Sequence, residues 1–336
     1  MPIKVGIVGL GWAGQQHTKV LASLPEAKIV AFADLDPERV AAFADQHGAR
    51  AYGHWKDMLG GEPELDAVIL ATPAQVRLEP IEAIAARKIA LFCEKPPALD
   101  VATALKAADA IRRAGIINSV GFQYRWAPPA QRMRELIAGR PRLFARIAVA
   151  WPVFDWVRDG LAPSHLYSKA KSGGPLIEQG IHFQDVLRYI TEDEPLCLHA
   201  MAELGRTQPR EGRDSEDTTL VLARHQSGML STHVQNWSHS RTILQLQIVG
   251  DDFDLTWNIA NGELSGTLAG EPLREALTGD PYSEEMHGFV SAVARREQGI
   301  IRSSYLDACW SLAACEAAAL SISTGLPQMV LPVAGD

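Results

Sequence analysis

The hexapeptide Gly9-Leu10-Gly11-Trp12-Ala13-Gly14 constrains this chain more than any other feature. It follows a β-branched apolar run at 3–8 and opens a helical pattern at 13–23. G-x-G-x-x-G is common by chance, and it is the strand before it and the helix after it that give it meaning. In that setting Gly9 permits the tight turn, Gly11 lets the backbone approach a pyrophosphate, and Gly14 allows close helix–strand packing. The N–H groups of Trp12, Ala13 and Gly14 then lie at the positive end of a helix dipole, where phosphates bind. Such a unit calls for a carboxylate about 20 residues on, at the end of the next parallel strand, to hold a ribose. Asp34 stands there, after an apolar run at 28–33. Leu35 follows it instead of a basic residue, which favours NAD over NADP; Arg39 is the one nearby group that suits a 2′-phosphate. Asp36, just before Pro37, reads as a helix N-cap with proline at the first helical position.

The same rhythm continues. Runs at 67–71, 89–93 and 117–122 alternate with helical patterns at 37–46, 74–86 and 101–114. Continuous apolar strands separated by helices predict an α/β, doubly wound parallel sheet covered on both faces. After Phe122 the pattern changes. Candidate strands at 143–150, 196–204, 218–224, 229–237, 242–249 and 253–258 follow one another with short polar turns, and helical patterns at 283–297 and 304–324 close the chain. This predicts a Rossmann-type domain over 1–122 and, over 123–336, an α+β domain with a large, mostly antiparallel open sheet.

Composition narrows the function. Of 336 residues 47% are apolar and 21% charged, the profile of a globular protein, and the net charge of −8 lacks the basic footprint of a nucleic-acid binder. No apolar run is long enough to span a membrane, and the apolar stretch at 3–8 does not read as a signal peptide. Cys93, Cys197, Cys309 and Cys315 have no C-x-x-C spacing and read as reduced thiols of a cytoplasmic protein.

Two clusters carry chemistry. Lys95, in Cys93-Glu94-Lys95-Pro96-Pro97, follows a strand at the edge where open α/β sheets bind ligands; read alone, it is equally a solvated lysine before a turn. Ser172-Gly173-Gly174-Pro175 starts a helix on which Glu178, His182 and Asp185 share a face. A histidine between carboxylates suits general acid–base work. Glu178 and His182 are also spaced like two metal ligands, but no third ligand stands at a recognisable spacing, so no metal is expected. Gly180 inside this helix implies close approach of another group, for which the nicotinamide is a candidate.

Taken together these residues resemble the Gfo/Idh/MocA family, the glucose–fructose oxidoreductase and inositol dehydrogenase group, along nearly the whole chain. The resemblance rests on Gly9–Gly14, Asp34, Ala71-Thr72-Pro73, Glu94-Lys95-Pro96, Tyr124-Arg125-Trp126 and the segment from Gly173 to His182. It implies NAD(P)-dependent hydride exchange with a small sugar, polyol or related carbinol. It also implies a homodimer or homotetramer through the C-terminal sheet. By position, Lys95 resembles the family lysine that binds the reacting hydroxyl, and His182 the acid–base histidine, with Glu178 where aspartate is usual. Thr72 and Pro73 resemble the loop beside the cofactor, and Glu94 a residue on the nicotinamide side. Arg77 departs from the family's histidine and is expected to alter cofactor contacts or leave a cation near the phosphates. Tyr124, Arg125, Trp151, Asp155, Trp156, His165 and Tyr167 are the candidate substrate contacts. Two rival readings stand beside the dehydrogenase: an NAD-dependent glycosidase, and a non-catalytic NAD(P)-binding sensor of the same fold.

Overall fold

The structure, a computed structural model, describes residues 1–205 and 213–333. In chain order the first elements are β1 (Ile3–Val8), α1 (Trp12–Ser23), β2 (Ala27–Ala33), α2 (Pro37–His47), β3 (Arg50–Tyr52), α3 (Trp55–Gly61), β4 (Ala67–Leu70), α4 (Leu78–Ala86), β5 (Ala90–Cys93), α5 (Val101–Ala114) and β6 (Asn118–Val120). Then come α6 (Pro128–Ile137), β7 (Arg142–Ala150), α7 (Val153–Arg158), α8 (Lys169–Ser172), α9 (Ile181–Thr191), β8 (Pro195–Glu203), β9 (Thr218–His225) and β10 (Leu230–Asn236). The chain closes with β11 (Ile243–Gly250), β12 (Phe253–Asn258), β13 (Glu263–Leu268), β14 (Glu271–Ala276), α10 (Pro281–Arg295), α11 (Tyr305–Thr324) and β15 (Gln328–Met329). Two compact units result: Met1–Trp126 with Asp280–Cys309, and Ala127–Gly279 with Trp310–Asp336.

The first unit is built on a six-stranded sheet of order β3-β2-β1-β4-β5-β6 in which every pairing is parallel. β4 and β5 are buried at every position, as strands covered on both faces must be. Local signals end the helices where expected. Asp36 accepts from the Arg39 amide with Pro37 at the first helical turn, and Gly48 closes α2 in the left-handed region. β3 and α3 were not anticipated, because three strand residues and a seven-residue helix carry little periodicity. The expected helix at 74–86 is split: a short 3-10 turn at Ala74–Val76 precedes α4.

A late segment completes this unit's core. Met286, Phe289 and Val290 of α10 are fully buried in the cluster that contains Ile7, Phe32, Ile69 and Phe92. The Phe289 ring meets Phe92 edge-on, with centroids 5.5 Å apart.

The second unit holds a nine-stranded sheet of order β14-β13-β12-β11-β7-β10-β9-β8-β15. All its pairings are antiparallel except β7 with β10. The last hairpin strands, β13 and β14, lie outside the expected set, since β14 is mostly exposed and its sequence does not alternate cleanly. Helix α9 is buried at every position but Tyr189, so each polar residue needs a partner. Gln184 pairs with His233, Asp185 accepts from Ser311, and Arg188 donates to Ser311 and to both carboxylate oxygens of Glu194. Asp185 is therefore part of the lock between α9 and α11.

Truncating Phe289 tests the contribution of α10. Phe289→Ala is expected to cost the first unit about 3–5 kcal/mol, measured as the shift of its urea transition. An unchanged midpoint would remove α10 from that core.

Candidate active site

Three loops meet the carboxyl edge of the first sheet at adjacent strands, because β1, β4 and β5 are neighbours. The first is the glycine loop. Gly9 sits at φ +90, where a side chain would be strained, and a Cβ there would lie 2.7 Å from the Ala71 carbonyl oxygen. A Cβ on Gly14 would lie 2.0 Å from the Gly9 carbonyl oxygen. A Cβ on Gly11 would meet nothing within 4 Å. The strand–helix junction is closed at Gly9 and Gly14 and open at Gly11. Among the described residues no side chain caps the N-terminus of α1, the arrangement an anion-binding helix start requires. Asp34 fixes the corner: Oδ2 accepts from the Leu10 amide at 2.6 Å and Oδ1 from the Asp36 amide at 2.9 Å. Arg39 is held by Asp36 at 2.8 Å and Asp34 at 3.4 Å, and Leu35 and Trp12 are exposed. This cradle fits the phosphates of a dinucleotide.

The second loop, Ala71 to Pro73, holds the buried Thr72 hydroxyl, which has no protein partner among the described residues. The third holds Glu94 and Lys95, with a cis Lys95–Pro96 peptide. Glu94 is buried; its Oε1 pairs with His17 Nε2 at 2.7 Å and its Oε2 accepts from the Lys95 amide at 3.0 Å. Burial would raise the Glu94 carboxyl, but the His17 hydrogen bond and the charges of His17, Lys95 and Arg77 outweigh it and bring the group down to about 2. The surroundings of Glu94 therefore favour its carboxylate form.

Arg77 was expected to alter cofactor contacts or to leave a cation near the phosphates. Its guanidinium is instead buried and hydrogen-bonded to the carbonyls of Thr72, Glu94, Lys95 and Pro96, so it offers the cofactor no mobile cation. Arg125 is likewise engaged, with Asp307 at 2.6 Å and the Arg302 carbonyl. Tyr124 is half-buried, and burial pushes its hydroxyl up to about 12.

Sequence reasoning passed over His17, Gln123 and Tyr282. Gln123 Nε2 donates to the Tyr282 hydroxyl at 3.2 Å, and the Tyr282 ring lies 6.0 Å from Trp12 and 6.3 Å from His17. The available signal was His17 itself, a polar residue at a buried position of α1 three residues after Gly14.

In the second unit the segment Leu176–Gly180 is a π turn leading into α9, so Glu178 and His182 are not spaced along one regular α-helix as expected. Glu178 is half-buried and His182 buried. The group that approaches Gly180 is the His233 ring: a Cβ on Gly180 would lie 3.2 Å from His233 Cε1. His233 is held by Gln184 and Gln235, and burial pushes its imidazole down to about 4. Gln235 and the Trp237 indole both donate to Gln179 Oε1, at 2.6 and 2.7 Å, which ties the π turn to β10 and its flank. Trp151, Trp156 and Tyr167 surround the core of Val153, Phe154, Val157 and Trp237; His165 is half-buried, and Asp155 is paired with Arg158 at 2.6 Å. Among the described residues no group of three or more His, Cys, Asp or Glu could hold a metal, and no helix is long and apolar enough to cross a membrane.

The family model described as an oxidoreductase family with NAD-binding Rossmann fold matches residues 3–122, and the Gfo/Idh/MocA C-terminal domain model matches 130–255. The chain is 31% identical over 192 residues to the rhizopine catabolism protein MocA of Rhizobium meliloti, covering 57% of this chain and 58% of that protein. It thus spans little more than half the length of the first curated relatives it matches. Inositol 2-dehydrogenase 3 of Saccharopolyspora erythraea is 25% identical over 348 residues, covering 99% of this chain and 96% of its own. An oxidoreductase from Agrobacterium radiobacter, solved with NAD+, L-tartaric acid and magnesium, superposes with a TM-score of 0.85 at 20% identity, covering 98% of this chain and 99% of its own.

The glycine contrast is testable. Gly11→Ala should melt like the wild type yet lose NAD affinity, because its methyl enters open space. Gly14→Ala should lose both stability and affinity, because its methyl meets backbone. Calorimetric titration with NAD and thermal melting separate the two; wild-type affinity in Gly11→Ala would move the cofactor elsewhere.

Proposed function

This chain belongs to the Gfo/Idh/MocA family of NAD-binding oxidoreductases, and on that premise we propose that it is an NAD-dependent dehydrogenase or reductase of a sugar, polyol or related carbinol. The observation that carries the reading is the adjacency of the glycine loop, the Thr72 loop and the Lys95 loop on neighbouring strands β1, β4 and β5. That order supports a reading in which Lys95 stands beside the reactive end of the dinucleotide.

Bound NAD supplies the hydride acceptor. Lys95 donates to the reacting oxygen and stabilises its developing negative charge. His182 takes the hydroxyl proton, with Glu178 as its proposed carboxylate neighbour. Glu94, held anionic, anchors the Lys95 amide from behind. Tyr124, Trp151, Trp156, His165 and Tyr167 are the proposed sugar contacts, since aromatic faces stack on sugar rings. Arg125 and Asp155 already carry partners of opposite charge and are weaker candidates.

The open face of the second sheet supports self-association. Register brings Leu222 opposite Thr232, Leu220 opposite Val234, and Leu230 opposite both Arg224 and Phe144, leaving a patch of exposed Phe144, Leu220, Leu222, Leu230 and Val234. A patch of this kind calls for a cover, and a second copy of the chain is the proposed one.

The first test is NAD reduction, followed by absorbance, with a panel of inositols, other polyols, aldoses and sugar acids. Lys95→Met should lower turnover by about 100- to 10,000-fold while leaving NAD affinity nearly unchanged. Full activity in that variant would sink the assignment. Light scattering after size exclusion should give two or four times the chain mass, and Leu222→Glu should reduce it; a monomeric wild type would overturn the dimer or tetramer.

A further inference from the structure

Arg77 is a cation enclosed by backbone. Its side chain is buried, its charge acts on the neighbouring Glu94 carboxylate and Cys93 thiol, and its hydrogen bonds to the main chain span two loops. Nε donates to the Thr72 carbonyl at 2.9 Å and Nη2 to the same oxygen; Nη1 donates to the carbonyls of Glu94 and Pro96, and Nη2 lies 3.4 Å from that of Lys95. One residue further on, the Pro97 carbonyl accepts from the buried Tyr305 hydroxyl at 2.9 Å. Four consecutive carbonyls of the lysine loop are therefore held by two side chains, and the same guanidinium grips the neighbouring Thr72 loop.

This arrangement has a specific physical content. Pro96 and Pro97 have no N–H, and the loop is not part of a strand or helix, so its buried carbonyls need donors from elsewhere. A guanidinium offers five donors in a rigid planar fork and keeps its charge when buried. Carbonyl dipoles from two loops solvate that charge, and separating the loops would leave both the charge and the oxygens unsatisfied. On the amide side of Lys95 stands Glu94; on its carbonyl side stands Arg77. The lysine's main chain is pinned at both ends.

We propose that Arg77 is a positioning residue: it clamps the Lys95 loop to the Thr72 loop and so fixes the origin of the Lys95 side chain with respect to the cofactor cradle. The inference rests on the Lys95 role proposed above. A misplacement of about 1 Å can cost about 100-fold in rate, which sets the size of the expected effect.

The test compares Arg77→Ala, Arg77→Lys and Lys95→Met, with turnover read on the substrate that the wild type oxidises in the panel. Arg77→Ala should fall about 100-fold in kcat with KM and NAD affinity changed far less. Added guanidinium should recover most of the loss, whereas methylammonium, which has the charge without the fork, should not. Hydrogen exchange read by mass spectrometry should rise together in peptides spanning 70–77 and 91–98, and guanidinium should suppress both. Wild-type kcat in Arg77→Ala, or equal recovery with methylammonium, overturns the clamp and leaves the Lys95 assignment standing. If Arg77→Ala does not fold, Arg77→Lys decides: it keeps the charge but cannot span both loops, so its kcat should fall, and wild-type kcat there overturns the clamp. Full activity in Lys95→Met would instead remove the reading on which the clamp depends.

Discussion

Buried backbone carbonyls beyond the reach of any strand or helix are the constraint around which the first unit is organised. A parallel sheet ends its strands in loops at one edge, and the loops that frame a ligand there must be irregular and yet hydrogen-bonded. The chain meets this need with side chains: Asp34 takes the Leu10 amide, Glu94 takes the Lys95 amide, and Arg77 and Tyr305 take the carbonyls of Thr72 and of Glu94 to Pro97. Each is buried or half-buried, so each bond is protected from competition by water. The result is an irregular edge whose buried main-chain groups are hydrogen-bonded, with Lys95 carried on one of its loops.

The second unit answers a related need with amides and rings. Gln179, Gln184, His233, Gln235 and Trp237 are joined in one buried hydrogen-bonded set beneath the π turn. All five are uncharged side chains, and the imidazole of His233, pushed down by burial, fits that role. A π turn adds a residue to one helical turn, which offsets whatever follows it. Here that offset falls between Glu178 and His182, the two residues that matter to the proposed chemistry.

Much of this was legible from residue patterns. The glycine hexapeptide, Asp34 and the Asp36–Pro37 cap identify their structures because each depends on neighbours within a few positions. The alternating strands of the second sheet were readable for the same reason. Arg77 was not: an arginine in a loop can serve a phosphate or a carbonyl, and only the fold brings residues 94–96 to it. Gly180 announced a close approach without saying that His233 makes it. His17 looked like one more helix residue until Glu94, 77 positions away, was placed against it.

The discontinuity of the first unit bears on how the chain is made. Its sheet is complete by Val120, yet Met286, Phe289 and Val290 arrive from the ribosome more than 150 residues later. Until then Phe92 and its neighbours lack the ring that closes over them, and the amino-terminal segment exists as an open half-core while the second unit is synthesised. Maturation is therefore not strictly vectorial: the part that emerges first is among the last to be sealed, and its exposed apolar surface is what a holding chaperone would meet during translation.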